Sequence, residues 1–253
     1  MWPFGRGRRR ASKEWDSPET DPLNVAVQEV ITQIPVDFGG GCPPKKAYAM
    51  AWLIRAERLR TSLDIGVYRG RSLMPQAVAH RDYTGGVAYG VDPYTKAAAT
   101  QQDNAPIREK LDRFVATTDF EQLYADVLAL RERLGLTAHC RLERKTSEEA
   151  AADFAARGMR FGLIHVDGNH DTRHVVRDVE LYWPLLAREG FLVLDDISWA
   201  SVKPAVDLAA SRAQLVFSES LPAVTELDYA IFWSGRSPRK AQALRESLKR
   251  IRG

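Results

Sequence analysis

From Thr61 onward the chain alternates short apolar runs with longer amphipathic ones, and this constrains its fold more than any other feature. SLDIGV, VAYGVD, HCRLERK, FGLIHVD and FLVLDD read as strands. SLMPQAVAH, Asp119 to Leu134, SEEAAADFAARG and Arg173 to Arg188 read as the helices between and after them. Strands separated by helices of roughly ten residues or more are the pattern of βαβ units, which build a parallel sheet covered on both faces. The strands are apolar without polar alternation, as strands buried on both faces are. AQLVFSE and LDYAIFWS add two strands joined by a Pro-containing loop, close enough to form an antiparallel hairpin at the sheet edge. The expected fold is a doubly wound, Rossmann-like α/β sheet of seven strands, mostly parallel, with that hairpin at its end.

Helices are expected to precede the sheet. Asn24 would cap a short helix, VAVQEVITQI, ended by Pro35; FGGGCPP is a glycine-proline turn, and Lys45 to Leu59 has helical periodicity. The chain then divides into a mobile basic tail (1–22), covering helices (23–60), a catalytic-size α/β domain (61–235) and a basic C-terminal helix (236–253). A length of 253 residues suits one such domain, and 45% hydrophobic content argues against wholesale disorder. The net charge of +3 comes from 36 basic and 33 acidic residues, much of the excess lying in GRGRRR, so no nucleic-acid partner is expected. Trp2 and Phe4 beside those arginines could touch an anionic membrane surface; a solvated tail is the plainer reading. Cys42 and Cys140 suggest no disulfide framework and fit a reducing cytoplasm. No apolar run approaches the ~18 residues of a spanning helix, and no hydrophobic segment follows the N-terminal arginines as in a secretory signal.

Three acids fall at predicted strand ends: Asp167 after FGLIHV, and Asp195 and Asp196 after FLVL. In an open parallel sheet, ligands collect outside the carboxyl ends of the strands, so these acids are expected to converge on one crevice. A single strand-end Asp is often a helix or turn cap. Two adjacent like charges need a cation or hydrogen-bond donors to compensate them. All-oxygen ligands point to Mg²⁺, with Mn²⁺ or Ca²⁺ open.

The turn after the first strand, DIGVYRGRS, carries Gly66 and Gly70 but lacks the G-x-G-x-x-G that lets a pyrophosphate approach a helix. Asp64 within that strand suits a cationic or amine-bearing ligand, and Asp92 in YGVDPY is spaced to accept hydrogen bonds from ribose hydroxyls. A nucleoside with a positive tail satisfies both acids. The structural alternative is that the glycines permit a tight turn and Asp92 is a cap.

From about Thr61 to Gly235 the chain resembles the class I S-adenosylmethionine-dependent methyltransferases. Within them it resembles the metal-dependent small-molecule and sugar O-methyltransferase branch that includes macrocin-type methyltransferases and cephalosporin hydroxylase-like proteins. LDIGVYRGRS, GVDPY, KTSEEAAADF and HVDGNHDTRHVVRDVELYWPLLAREGFLVLDD carry the resemblance. It implies that Asp64, Gly66 and Gly70 line the methionine and ribose part of the cofactor, that Asp92 holds the ribose hydroxyls, and that Thr146 or Ser147 sits near the adenine. Asp167, Asp195 and Asp196 match the metal-binding carboxylates. Asn169 departs from the pattern, standing where some relatives carry an acid used as base. His170 is the best remaining base by its ordinary pKa; its alternative is a hydrogen bond at a helix start. His174, one turn on, could pair with it for zinc but lacks a softer third ligand. His165 reads as a satisfied core residue. Trp52, Trp183 and Trp199 read as core or pocket wall, with Trp199 placed to flank an acceptor.

The expected activity is Mg²⁺- and S-adenosylmethionine-dependent O-methylation of a hydroxyl on a sugar, glycan precursor or polyol-like small molecule, in the cytoplasm. The alternatives are a hydroxylase-like protein of the same fold and a non-catalytic nucleoside-binding module. A homo-oligomer is compatible with the sequence.

Overall fold

The computed structural model describes residues 19–37, 41–100, 108–220 and 228–251. Most of the expected basic tail, the first residues of the FGGGCPP turn and most of the loop joining the last two strands lie outside these. Helix α1 (Pro22–Ile31) starts at Asp21, whose carboxylate accepts the Leu23 amide; Pro22 fills the first helical position. The cap is therefore Asp21 and not Asn24, because a proline at that position needs no amide partner and presets the helical φ. Helix α2 (Pro44–Ala56) follows, ending earlier than its periodicity suggests, with Arg58 left-handed at φ 53° just beyond it.

The strands are β1 (Thr61–Ile65), β2 (Val87–Val91), β3 (Cys140–Glu143), β4 (Phe161–Val166), β5 (Leu186–Asp195), β6 (Gln214–Glu219) and β7 (Tyr229–Trp233). They form one sheet in the order β3-β2-β1-β4-β5-β7-β6. Only β7 runs against its neighbours; it lies between β5 and β6 and is antiparallel to both. Helices α3 (Leu73–Ala79), α4 (Lys96–Ala99), α5 (Arg108–Thr117), α6 (Phe120–Arg133), α7 (Ser147–Ala156), α8 (Thr172–Tyr182), α9 (Lys203–Arg212) and α10 (Pro238–Ile251) complete the chain. The expected seven-stranded architecture is present, hairpin included.

Two local departures have physical causes. Helix α8 stops at Tyr182, short of Arg188, with Trp183–Leu185 as a tight 3₁₀ turn. Pro184 lacks an amide and its ring obstructs the preceding turn, so the α-helical ladder cannot continue. Helix α9 was not expected; Pro204 near its start and an alanine-rich body are consistent with it.

Period-two alternation along the strands sorts side chains onto two faces. Leu163, Phe191 and Val193 pack into one core cluster with α2 and α10, whereas Ile164, Leu192 and Leu194 pack on the other side with α7, α8 and α9. Helix α2 is almost wholly enclosed: Met50, Leu53 and Ile54 are fully buried, and burial of each such side chain contributes about 1.5–3 kcal/mol. Asp195 falls on the same face as Phe191 and Val193, so its side chain turns toward α2.

The carboxyl-end acid centre

The chain leaves β1 toward β2 on one side, while β4 lies on the other, so the sheet's switch point opens between the ends of β1 and β4. Gly66 sits there at φ +88°, a conformation open to glycine. A β-carbon on it would come within 2.1 Å of the Asp167 carbonyl oxygen. The two strand exits thus touch backbone to backbone, and Gly70 at φ +84° completes the turn.

Asp64 and His165 are direct partners in the β1–β4 register. Both are fully buried, with His165 Nδ1 2.5 Å from Asp64 Oδ1 and Ser72 Oγ donating to Asp64 Oδ2 at 2.5 Å. Asp64 therefore braces the turn from beneath. His165 Nε2 has no hydrogen-bond partner and lies 4.0 Å from Asp167 Oδ2. Its expected role as a satisfied core residue holds for one nitrogen only.

Asp92 receives the amides of Tyr68 at 2.9 Å and Tyr94 at 2.8 Å, one on each oxygen. These tyrosines are left-handed, at φ 48° and 47°, and the Tyr94 hydroxyl donates to the Tyr68 carbonyl. Burial pushes the Asp92 carboxyl up, and the two amides work against that. Across the crevice, Thr146 caps α7 in a capping box with Glu149, and Ser147 Oγ donates to Asp178.

The three strand-end acids meet, but not as equals. Lys46 of α2, 1% exposed, donates to Asp195 Oδ2 and lies 3.6 Å from Asp167 Oδ2. Burial would lower the Lys46 ammonium, yet the Asp195 charge holds it well above its ordinary value. At Asp167 burial is outweighed by Lys46 and His170, which hold its carboxyl below the usual range; burial and the Asp167 charge push Asp195 up. Asp196, one residue past the strand, adopts a left-handed φ of 50°. A non-glycine residue in that region stores strain, which clusters at functional sites. Its Oδ2 lies 2.6 Å from His170 Nε2, which is also 3.5 Å from Asp167 Oδ1. Burial lowers His170, but hydrogen bonding to Asp167 and Asp196 and their charges carry it up to about 10. The two carboxylates thus favour the charged form of His170.

Two groups of three donor atoms lie within 4.8 Å of one another: His165, Asp167 and Asp195, and Asp167, His170 and Asp196. His174 joins no such group among the described residues. The Trp199 ring lies 5.2 Å from the His170 ring at a tilt of 41°, which makes it a wall of the crevice, whereas Trp52 is core. Lys46 escaped the sequence reading because its partner is 149 residues away and only the packing of α2 on the sheet brings them together.

Comparison with known proteins bears on this geometry. Residues 63–197, more than half of the chain, match the family model described as a methyltransferase domain. Comparison with curated proteins gives no match. Solved structures share the fold at low identity. An O-methyltransferase from Bacillus cereus, in complex with SAH, has a TM-score of 0.55 at 14% identity, covering 88% of this chain and 91% of that one. The O-methyltransferase TomG from Streptomyces achromogenes, involved in tomaymycin synthesis and in complex with SAM, has a TM-score of 0.55 at 12% identity, covering 85% and 91%. SAH-bound methyltransferase PaMTH1 from Podospora anserina has 0.50 at 15%, covering 84% and 88%.

Proposed function

The chain belongs to the methyltransferase-domain family, and on that premise we propose that it is an S-adenosylmethionine-dependent O-methyltransferase assisted by a divalent cation, Mg²⁺ in the first instance. The observation that carries this reading is the meeting of Asp167 with Asp196 on one side and with Asp195 on the other, beside the Gly66 turn at the sheet's switch point. Bound SAM or SAH in structures of the same fold supports it.

The residues fit both groups. Gly66 and Gly70 hold the turn at positive φ, with Gly66 letting the two strand exits close against each other beside the crevice, and Asp92 lies at the end of the neighbouring strand, where ribose hydroxyls would reach it. Thr146 and Ser147 at the start of α7 would lie on the adenine side. Asp64, wholly enclosed, shapes the methionine end through the turn it supports. Hard oxygen donors from Asp167 and Asp196, with Asp195 beside them, suit a Mg²⁺-like ion. S-adenosylmethionine would supply an electrophilic methyl on a sulfonium, and the divalent ion would draw a hydroxyl oxygen to the acids and lower its pKa.

The chain's own residues supply positioning and proton handling. Holding the hydroxyl oxygen in line with the methyl can contribute several kcal/mol, up to roughly 7–11, to lowering the barrier. In the reaction the S–CH₃ bond breaks, an O–CH₃ bond forms and the hydroxyl proton leaves. We assign His170 as the base: the carboxylates of Asp167 and Asp196 favour its charged form, and a divalent ion on those carboxylates would release it to the neutral form that takes the proton. The half-buried Trp199 offers a ring face to an acceptor beside His170. A diol-bearing acceptor, such as a sugar, glycan precursor or polyol-like small molecule, presents adjacent oxygens to the acids and an apolar ring face to Trp199. No described helix is long and apolar enough to cross a membrane.

Calorimetry with S-adenosylhomocysteine tests the cofactor half: binding is expected, and Asp92→Asn should weaken it strongly while Asp196→Asn leaves it intact. Preference for NAD instead would reject the reading. Methyl transfer to a panel of sugars tests the rest. It should fall with EDTA and with His170→Gln; transfer indifferent to EDTA would remove the cation.

A further inference from the structure

The acids at the ends of β4 and β5 form two cation positions that share Asp167. The outer one, set by Asp167 and Asp196 with the His170 ring beside them, is partly exposed to the crevice. The inner one is His165, Asp167 and Asp195. His165 is fully buried, its Nδ1 is fixed on Asp64, and its Nε2 is unpartnered on the side facing Asp167. A carboxylate on one imidazole nitrogen with the other nitrogen's lone pair turned to an ion is how metal-ligating histidines are held. The inner position nevertheless already has a cation. The Lys46 ammonium reaches it from α2, donating to Asp195 and facing Asp167.

We propose that Lys46 is the permanent occupant of the inner position, where it stands in for a divalent ion and withdraws Asp195 from the donors offered to an exchangeable cation. This rests on the divalent-cation reading of the site and divides its acids into two roles. Strand alternation explains the division. Asp195 still obeys the period of β5 and meets Lys46 on the α2 face, whereas Asp196 has left the strand at φ 50° and meets His170 instead. An ammonium so placed also repels a second cation from the inner position. Lys46 is thus a positioning residue: at 1% exposure it touches no acceptor, and it acts through the two carboxylates.

Mn²⁺ titration of the full-length protein, followed by electron paramagnetic resonance and calorimetry, provides a readout independent of turnover. The wild type should bind one ion. Asp196→Asn should weaken it by roughly tenfold or more. Asp195→Asn should weaken it far less than Asp196→Asn does, since the Asp195 carboxylate is held by Lys46. Lys46→Ala should gain a second Mn²⁺, lost again in Lys46→Ala/Asp195→Asn. Asp195→Asn weakening Mn²⁺ as much as Asp196→Asn, or a folded Lys46→Ala with no second ion, overturns the assignment while leaving a metal site standing. Conversely, a wild type that binds no Mn²⁺, with a Lys46→Ala variant that binds one ion through Asp195, supports the assignment and rejects the outer cation. If Lys46→Ala fails to fold, the comparison of the two Asn variants decides alone.

Discussion

Asp178 is 6% exposed and keeps its carboxylate against the Ser147 hydroxyl at the start of α7. Burial pushes its carboxyl up to about 6, with the Ser147 hydrogen bond only partly opposing this. The native state therefore holds a proton that the unfolded chain releases above about pH 4, and the associated stability is lost as pH rises toward about 6. Asp178→Asn keeps the shape and removes that dependence. Relative to wild type it should gain of order 1–3 kcal/mol at pH 7 and little at pH 4, read from urea midpoints. An equal change at both values would mean the charge plays no part. Gly66 gives a second residue-scale test. Gly66→Ala combines a φ of +88° with a β-carbon 2.1 Å from a carbonyl. It should cost roughly 2–4 kcal/mol and abolish S-adenosylhomocysteine binding, as strained backbone sites do. The sequence exposed both glycines and all three acids, because strand ends and turns are local patterns. It also held an unused clue. Neighbouring residues on a strand face opposite ways, so Asp195 and Asp196 could not both point into one crevice unless the strand ended between them. The partner that meets Asp195 was not legible, since nothing near Lys46 in the sequence marks it as facing an acid.

Among the elements, α1 and α2 are joined by one carboxylate. Asp21 accepts the Leu23 amide as helix cap, the Tyr48 hydroxyl at 2.5 Å and both terminal nitrogens of Arg55. Burial pushes the Asp21 carboxyl up, but hydrogen bonds from Arg55 and Tyr48, then the Leu23 amide, prevail and hold it below its ordinary value. The sign is opposite to that of Asp178: this stability is present above the unfolded pKa of about 4 and is lost as pH falls through the lower folded value. Asp21→Ala should destabilise by about 3 kcal/mol at pH 7, because it removes a cap and strands a partly buried guanidinium, and by less at pH 3. A loss unchanged by pH would assign the effect to capping alone. The cap was readable as Asp-Pro at the helix start, a stronger signal than Asn24 two residues inside. The end of α8 was readable too, in Pro184. The antiparallel pairing of β6 with β7 followed from hairpin spacing, whereas the insertion of β7 between β5 and β6 is a tertiary choice that spacing does not carry.

For the whole molecule, the change of pattern near residue 60 marks where strand and helix begin to alternate, yet the core runs straight across it. Leu23, Val27, Met50, Leu53 and Ile54 share one cluster with Leu163, Phe191, Val193, Ile231 and Trp233 from the central strands. One face of β4, β5 and β7 is therefore sealed by the N-terminal helices, and the same helices carry the ammonium that neutralises Asp195 and Asp167. Removing them would uncover a contiguous apolar face and leave two acids without their buried cation, either of which costs more than a marginally stable domain can spare. A chain beginning at residue 57 should accordingly show no cooperative thermal transition and no S-adenosylhomocysteine binding, monitored by circular dichroism and calorimetry. A sharp transition with full-length affinity would instead make α1 and α2 an appendage. It would also leave the acid centre workable without Lys46, so the same experiment reaches from the packing of two helices to the electrostatics of the site they close.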